Sequence, residues 1–95
     1  MSLDIVFTPK GKETFLYTTL QIKNKWGLKT ANDFVSRSHE VFKNISLQPL
    51  IFKSYSDLDI RKGLITKHTS FLYRVLNDKI EILIIWDNRQ EPIFK

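Results

Sequence analysis

Cysteine is absent from this 95-residue sequence, which also holds only three glycines, three prolines, two histidines and one methionine. Without cysteine there are no disulfides and no thiolate metal sites, an absence that fits a reducing compartment. His39 and His68 stand far apart and no cysteine supplements them, so neither a metal nor a cofactor is expected. Gly11, Gly27 and Gly63 form no phosphate-cradling loop. No apolar run approaches the ~18 residues of a membrane span, and the N-terminus lacks the charged-then-apolar layout of a signal peptide. The expectation is a soluble, cytoplasmic chain with no membrane partner.

What is present points to an ordinary packed fold. The hydrophobic fraction is 42%, and seven Phe, three Tyr and two Trp supply bulky core material. That composition argues against disorder, and the length suits one domain spanning residues 1–95 around one modest core. Fifteen Lys and Arg against ten Asp and Glu leave a formal charge of +5. A basic excess of this kind suits a polyanionic partner, either nucleic acid or an acidic protein.

Along the chain, Ile5-Val6-Phe7 reads as a short strand, followed by Thr8 as an N-cap and Pro9 at the first helical position. Phe15, Ile22 and Trp26, with Thr19 between them, share one helical face that Leu16 and Leu20 widen. Gly27 suits the end of that helix. Thr30 and Asp33 resemble a capping box opening a second helix, along which Ala31, Phe34, Val35, Ser38, Phe42 and Ile45 recur at helical spacing. So short a link predicts an antiparallel helical hairpin, ended by Ser46 to Pro49.

Beyond Pro49 the period changes to two. Leu50-Ile51-Phe52 is a brief apolar piece and Tyr55-Ser56-Asp57 a loop, with strands expected over Ile60 to Ile65 and Ser70 to Leu76. Asn77-Asp78 makes a two-residue hairpin turn. Ile80 to Trp86 is apolar on both faces apart from Glu81, the pattern of a central strand covered on both sides. Trp26 and Trp86, at element ends, are expected in the core.

This order, together with Ile60-Arg61-Lys62, Phe71-Leu72-Tyr73-Arg74-Val75, Ile80-Glu81-Ile82-Leu83 and Asn88-Arg89-Gln90-Glu91-Pro92, resembles the RelE/ParE superfamily of bacterial toxins across essentially the whole chain. The resemblance implies an α+β fold, in β-α-α-β-β-β order. In it a small antiparallel sheet carries the N-terminal helical hairpin on one face and a concave basic surface on the other. It further implies the toxin of a type II toxin–antitoxin, plasmid-stabilisation module, with a cognate antitoxin that wraps the toxin and covers that surface. RelE-like members are ribosome-dependent endoribonucleases that cleave mRNA, whereas ParE-like members block DNA gyrase.

Cleaving RNA through its 2′-hydroxyl requires a proton acceptor, cations around the crowded phosphate and a proton donor for the leaving oxygen. RelE-like nucleases are expected to supply these from lysines, arginines and a tyrosine. Laid along that pattern without gaps, Arg61 takes the first lysine's position, Gly63 the second lysine's and Ser70 the third-strand arginine's. Arg89 takes the arginine position after the last strand, while the terminal tyrosine has no counterpart and Phe94 cannot exchange a proton. Two of the five roles remain. An altered catalytic set of Arg61, His68 and Arg89 is the alternative, with His68 as acid or base and Lys67 among the phosphate clamp. Lys62, Lys67, Arg74 and Arg89 are candidates for binding a target or the antitoxin. Arg61 and Lys62 alternate faces, so only one of them reaches the concave side. Arg74 is expected to pair with Glu81, and Arg89 with Asp87 or Glu91 if it is structural. Lys10, Lys12, Lys23, Lys25 and Lys29 form a solvated helix surface that a gyrase-binding toxin can use. The missing nuclease residues favour ParE-like binding over RelE-like cleavage; a small basic nucleic-acid-binding module is the reading outside toxins.

Overall fold

The computed structural model describes residues 2–54 and 59–89. The expected Tyr55-Ser56-Asp57 loop, Glu91 as a partner for Arg89, and Phe94 at the tyrosine position lie outside the described residues. The elements are β1 (Asp4–Phe7), α1 (Pro9–Trp26), α2 (Leu28–Leu47), β2 (Ile60–Thr66), β3 (Thr69–Val75) and β4 (Lys79–Asp87). This is the expected α+β order. The strands lie side by side as β1-β4-β3-β2. The meander β2–β3–β4 is antiparallel, and its last turn closes at Leu76 and Lys79 around Asn77-Asp78. β1 joins β4 in parallel, so the sheet is mixed. A helical crossover between strands of one sheet brings the chain back in its starting direction, and β1 takes the open edge beside β4.

Gly27, with φ of 96°, alone turns the chain between the helices. It ends α1 through its N–H to the Lys23 carbonyl and begins α2 one residue later. The capping-box start at Thr30 and Asp33 is therefore overturned. Thr30 lies inside the helix, its hydroxyl donating to the Trp26 carbonyl, because a left-handed glycine makes the turn without a linker.

The buried face of α1 also differs from its apolar pattern. Gly11, Thr14, Thr18 and Ile22 face inward, whereas Leu16, Leu20 and Trp26 are exposed. The cause lies in β4. Its register against β3 slips by one residue at Leu83, and on its other edge the ladder with β1 ends at Phe7 and Ile82, so the later backbone groups along that edge have no strand partner. Helix α1 supplies them. The Thr8 N–H and hydroxyl donate to the Ile82 carbonyl, and the Thr14 hydroxyl accepts from the Ile85 N–H at 3.0 Å. A Cβ at Gly11 would collide with the Ile82 carbonyl oxygen, so only glycine allows the helix this close. Hydrogen bonding to a bulged strand thus outranks apolar patterning in orienting α1.

The same bulge explains why β4 looked apolar on both faces. Ile80 and Ile82 face the helices before it and Ile85 after it, since they pair with Val75, Tyr73 and Phe71 on one side of β3. The helices cover that face alone, not both. Its core is a continuous set of rings in which Phe42 meets Phe7, Phe15 and Phe71, and Phe71 meets Phe52 and Tyr73. Phe71 and Tyr73 are fully buried, each aromatic pair contributing about 0.5–1.5 kcal/mol beyond its area.

Candidate functional site

Pairing register sorts the cationic candidates by face. Arg61 and Gly63 pair with Tyr73 and Phe71, so they lie on the helix-side face. The Arg61 guanidinium donates to the Phe52 carbonyl at 2.8 Å and to Asp59 at 3.1 Å, and it is largely buried. Gly63 has no room for a side chain, because a Cβ there would sit within 2.6 Å of the Phe71 ring. Of the Arg61 and Lys62 pair, Lys62 takes the open face, where its ammonium stands 5.7 Å from the Trp86 ring centre. Arg74 is also on that face and pairs with Glu81 at 2.9 Å across the hairpin, as expected. Leu72 pairs with Lys62 on this face, and Leu64, on the same face, is 47% exposed.

A second group assembles where β4 ends beside the hinge between the helices. Arg89 closes on Asp87 in a bidentate pair, Nε to Oδ1 at 3.0 Å and Nη2 to Oδ2 at 2.7 Å, while its own N–H donates to Oδ1 at 2.8 Å. The guanidinium lies over the Trp26 ring, with its carbon 4.3 Å from the ring centre. Arg89 hydrogen bonding holds the Asp87 carboxyl below its usual range, against the opposing effect of burial, and raises Arg89 in turn. Trp26 is thus an exposed platform for an arginine and not a core residue. Trp86 is also outside the core, half-buried on the open face. In each case the pairing partner is a cation, which a solvated ring face attracts.

Lys67 and His68 form the β2–β3 turn. The His68 carbonyl accepts from the Asn88 N–H, fastening the turn to the end of β4. Ser70, at the expected arginine position, is fully buried and exchanges hydrogen bonds with the Asn88 side chain at 2.9 and 3.2 Å. Lys67, His68, Arg89, Arg37 and Trp26 line one cleft of ≈ 720 Å³. Arg37 is committed there, donating to the Ile65 carbonyl at 3.2 Å. Of the three residues expected to form an altered catalytic set, His68 and Arg89 therefore share a cleft. Arg61 sits at the opposite end of β2 and does not join them. The arrangement suits binding of an anionic surface group by Lys67, His68 and the solvent edge of Arg89. The Trp26–Arg89 stack and the Arg37 wall have no local signal in the sequence, since their partners meet only through the fold.

No protein-family model and no curated protein matches this sequence. Solved structures do. A chain of the chromosomal ParDE TA system from P. aeruginosa has a TM-score of 0.73 at 18% identity, covering 90% of this chain and 96% of that one. The YoeB dimer from Staphylococcus aureus gives 0.62 at 19% identity over 88% and 94% of the two chains. The YoeB-YefM complex from the same organism gives 0.59 at 20% identity over 90% and 95%. These likenesses establish the fold, two helices on a four-stranded mixed sheet, as one shared with those chains of the ParDE TA system and of YoeB.

Proposed function

We propose that this chain is the toxin of a type II toxin–antitoxin module and that it stops growth by gripping an essential protein target, as ParE-like toxins do with DNA gyrase. The observation that carries this choice is the dispersal of its cations. Arg61 is spent on the Phe52 carbonyl and Asp59, Gly63 and Ser70 are sterically closed, and Arg89 is locked against Asp87. A phosphate being cleaved needs its cations and its proton donor around one point, and here the expected set is split, with Arg61 at the far end of β2 from His68 and Arg89. Fold likeness to chains from the ParDE system and the YoeB-YefM complex supports a toxin held in check by a partner antitoxin.

A RelE-like nuclease is the second reading, favoured by one observation: His68, Lys67 and Arg89 line the same cleft. Induction of this chain alone, followed by short pulses of labelled thymidine and labelled amino acid, tests the choice. Thymidine incorporation failing first supports the gyrase reading. Amino-acid incorporation failing first overturns it in favour of mRNA cleavage. No effect on either, from folded protein, removes the toxin reading itself.

A further inference from the structure

Two clefts lie at opposite ends of the helical hairpin. One, of ≈ 800 Å³, opens between β1, α1 and α2, with Phe7, Phe15 and Phe42 as its floor and Lys12, His39 and Lys43 on its rim. The other is the ≈ 720 Å³ cleft at the hinge. Ile22 from α1 and Phe34 from α2 are both buried and form its floor. One wall is Trp26, 45% exposed, with the Arg89 guanidinium over its ring. Another is the β2–β3 turn, which carries Lys67 and His68. Backbone groups hold that turn without help from either side chain. The His68 N–H donates to the Thr66 hydroxyl at 3.1 Å, and the His68 carbonyl accepts from the Asn88 N–H. Lys67 is exposed and has no ion pair among the described residues, although Lys10, Lys29, Arg37, Arg61, Arg74 and Arg89 all do. Asp33 is the one acid among the lining residues, and it is already paired with Lys29 at 3.2 Å. The hinge cleft therefore joins an apolar floor, a fixed tryptophan–arginine wall and an unpaired ammonium.

We propose that this hinge cleft grips an exposed turn of a partner protein through one carboxylate and one neighbouring apolar side chain. The carboxylate meets the Lys67 ammonium and a ring N–H of His68, and the apolar side chain enters beside Trp26, above Ile22 and Phe34. Tryptophan and arginine are the residues that anchor protein interfaces. Arg89 is already held by Asp87 and by the Trp26 ring, so that wall gives up little side-chain freedom on binding. A nucleic-acid strand fits the cleft poorly. It needs cations spaced along a backbone track and open ring faces for its bases, whereas these cations surround one pit and Arg89 covers a face of Trp26. A second copy of this chain is disfavoured, since a two-fold contact here sets Lys67 and His68 against themselves. The inference rests on the toxin reading only in taking the partner to be the growth-essential target.

The test is panning a displayed library of random loop peptides against the folded full chain, then measuring the winners against Lys67→Glu and Lys43→Glu. The second variant makes the same charge change at the other end of the hairpin, where salt screens it from this cleft. Winners are expected to carry an acidic residue beside an apolar one and to shift the amide signals of residues 22–37 and 66–69. They are also expected to bind Lys67→Glu about tenfold or more weakly and Lys43→Glu as well as the natural chain. If Lys67→Glu proves unstable, Lys67→Gln keeps the stem, removes the charge and must still weaken binding. Neutral or basic winners, signals moving only in residues 5–16 and 39–46, equal losses in the two variants, or no enrichment would each overturn the proposal. A short DNA duplex that binds here more tightly than the winning peptides assigns the cleft to nucleic acid and overturns it as well. Growth inhibition is scored separately. A natural chain that binds such peptides without arresting growth sinks the toxin reading alone. A Lys67→Glu chain that has lost the peptides but still arrests growth sinks the assignment of this cleft to the target and leaves the toxin reading standing.

Discussion

The two clefts are of nearly equal volume, ≈ 720 and ≈ 800 Å³, yet their cations are in opposite conditions. At the Trp26 end, Arg89 is tied to Asp87 and Arg37 to the Ile65 carbonyl. Those arginines help build the surface they sit on, and a ligand must compete with the fold for them. At the Phe7 end Lys12 and Lys43 have no ion pair among the described residues, and the aromatic rings beneath them do the structural work. A basic residue in a cleft is therefore a weak sign of a binding site until its existing partners are known. The uncommitted cation is the informative one.

Changes to the phenylalanine floor should have the largest effect. Phe42 touches rings from β1, α1 and β3, so Phe42→Ala is expected to lose about 3–5 kcal/mol in urea unfolding. A loss under 1 kcal/mol would mean that the floor is a loose surface pocket and the contrast is misdrawn. Next comes Arg89→Ala, which leaves the buried Asp87 carboxylate with only the backbone N–H of residue 89 as a donor among the described residues. We expect a cost of about 1–2 kcal/mol, discounted because Arg89 itself is partly exposed. Growth inhibition that collapses while the variant stays folded would show that Arg89 also grips the target.

Acid sharpens the same point. Asp87 titrates lower in the fold than in the open chain, so its contribution is fully present above the ordinary aspartate value of ~3.9 and disappears as pH falls through the lowered folded value. Unfolding measured from pH ~5 downward should fall more steeply for the natural chain than for Arg89→Ala. Parallel curves would show that the pair contributes nothing. The smallest effect belongs to the free rim: Lys12→Glu with Lys43→Glu should change stability by no more than about 0.5 kcal/mol, read in the same urea titration. A larger loss would mean that these lysines have structural partners after all.

Much of the fold was legible because local rules and the final structure agreed. Thr8 caps α1 through its hydroxyl to Gly11, Gly27 turns the hairpin, Asn77-Asp78 closes β3 on β4, and α2 buries the apolar stripe its spacing announces. The candidate site was less legible. Arg74 with Glu81 and Arg89 with Asp87 could be paired from sequence, because neighbours across a tight hairpin or two residues apart meet whatever the rest of the chain does. Trp26 beneath Arg89, and Arg61 turned toward Phe52, could not. A one-residue difference in register exchanges the faces of a strand, and nothing local specifies which face the helices will cover.

The sequence by itself determined the elements, their order and their turns, since these depend on side-chain spacing and on backbone preferences within a few residues. Tertiary structure decided which side of α1 faces inward, which cations are committed and where the apolar surface remains. The short β1 governs the first of these: the β4 backbone groups past its end recruit Thr8 and Thr14, set the facing of α1 and leave Leu16 and Leu20 in solvent. An unsatisfied buried N–H or carbonyl costs as much as a leucine gains by burial, so the long-range hydrogen bonds outweighed the local pattern.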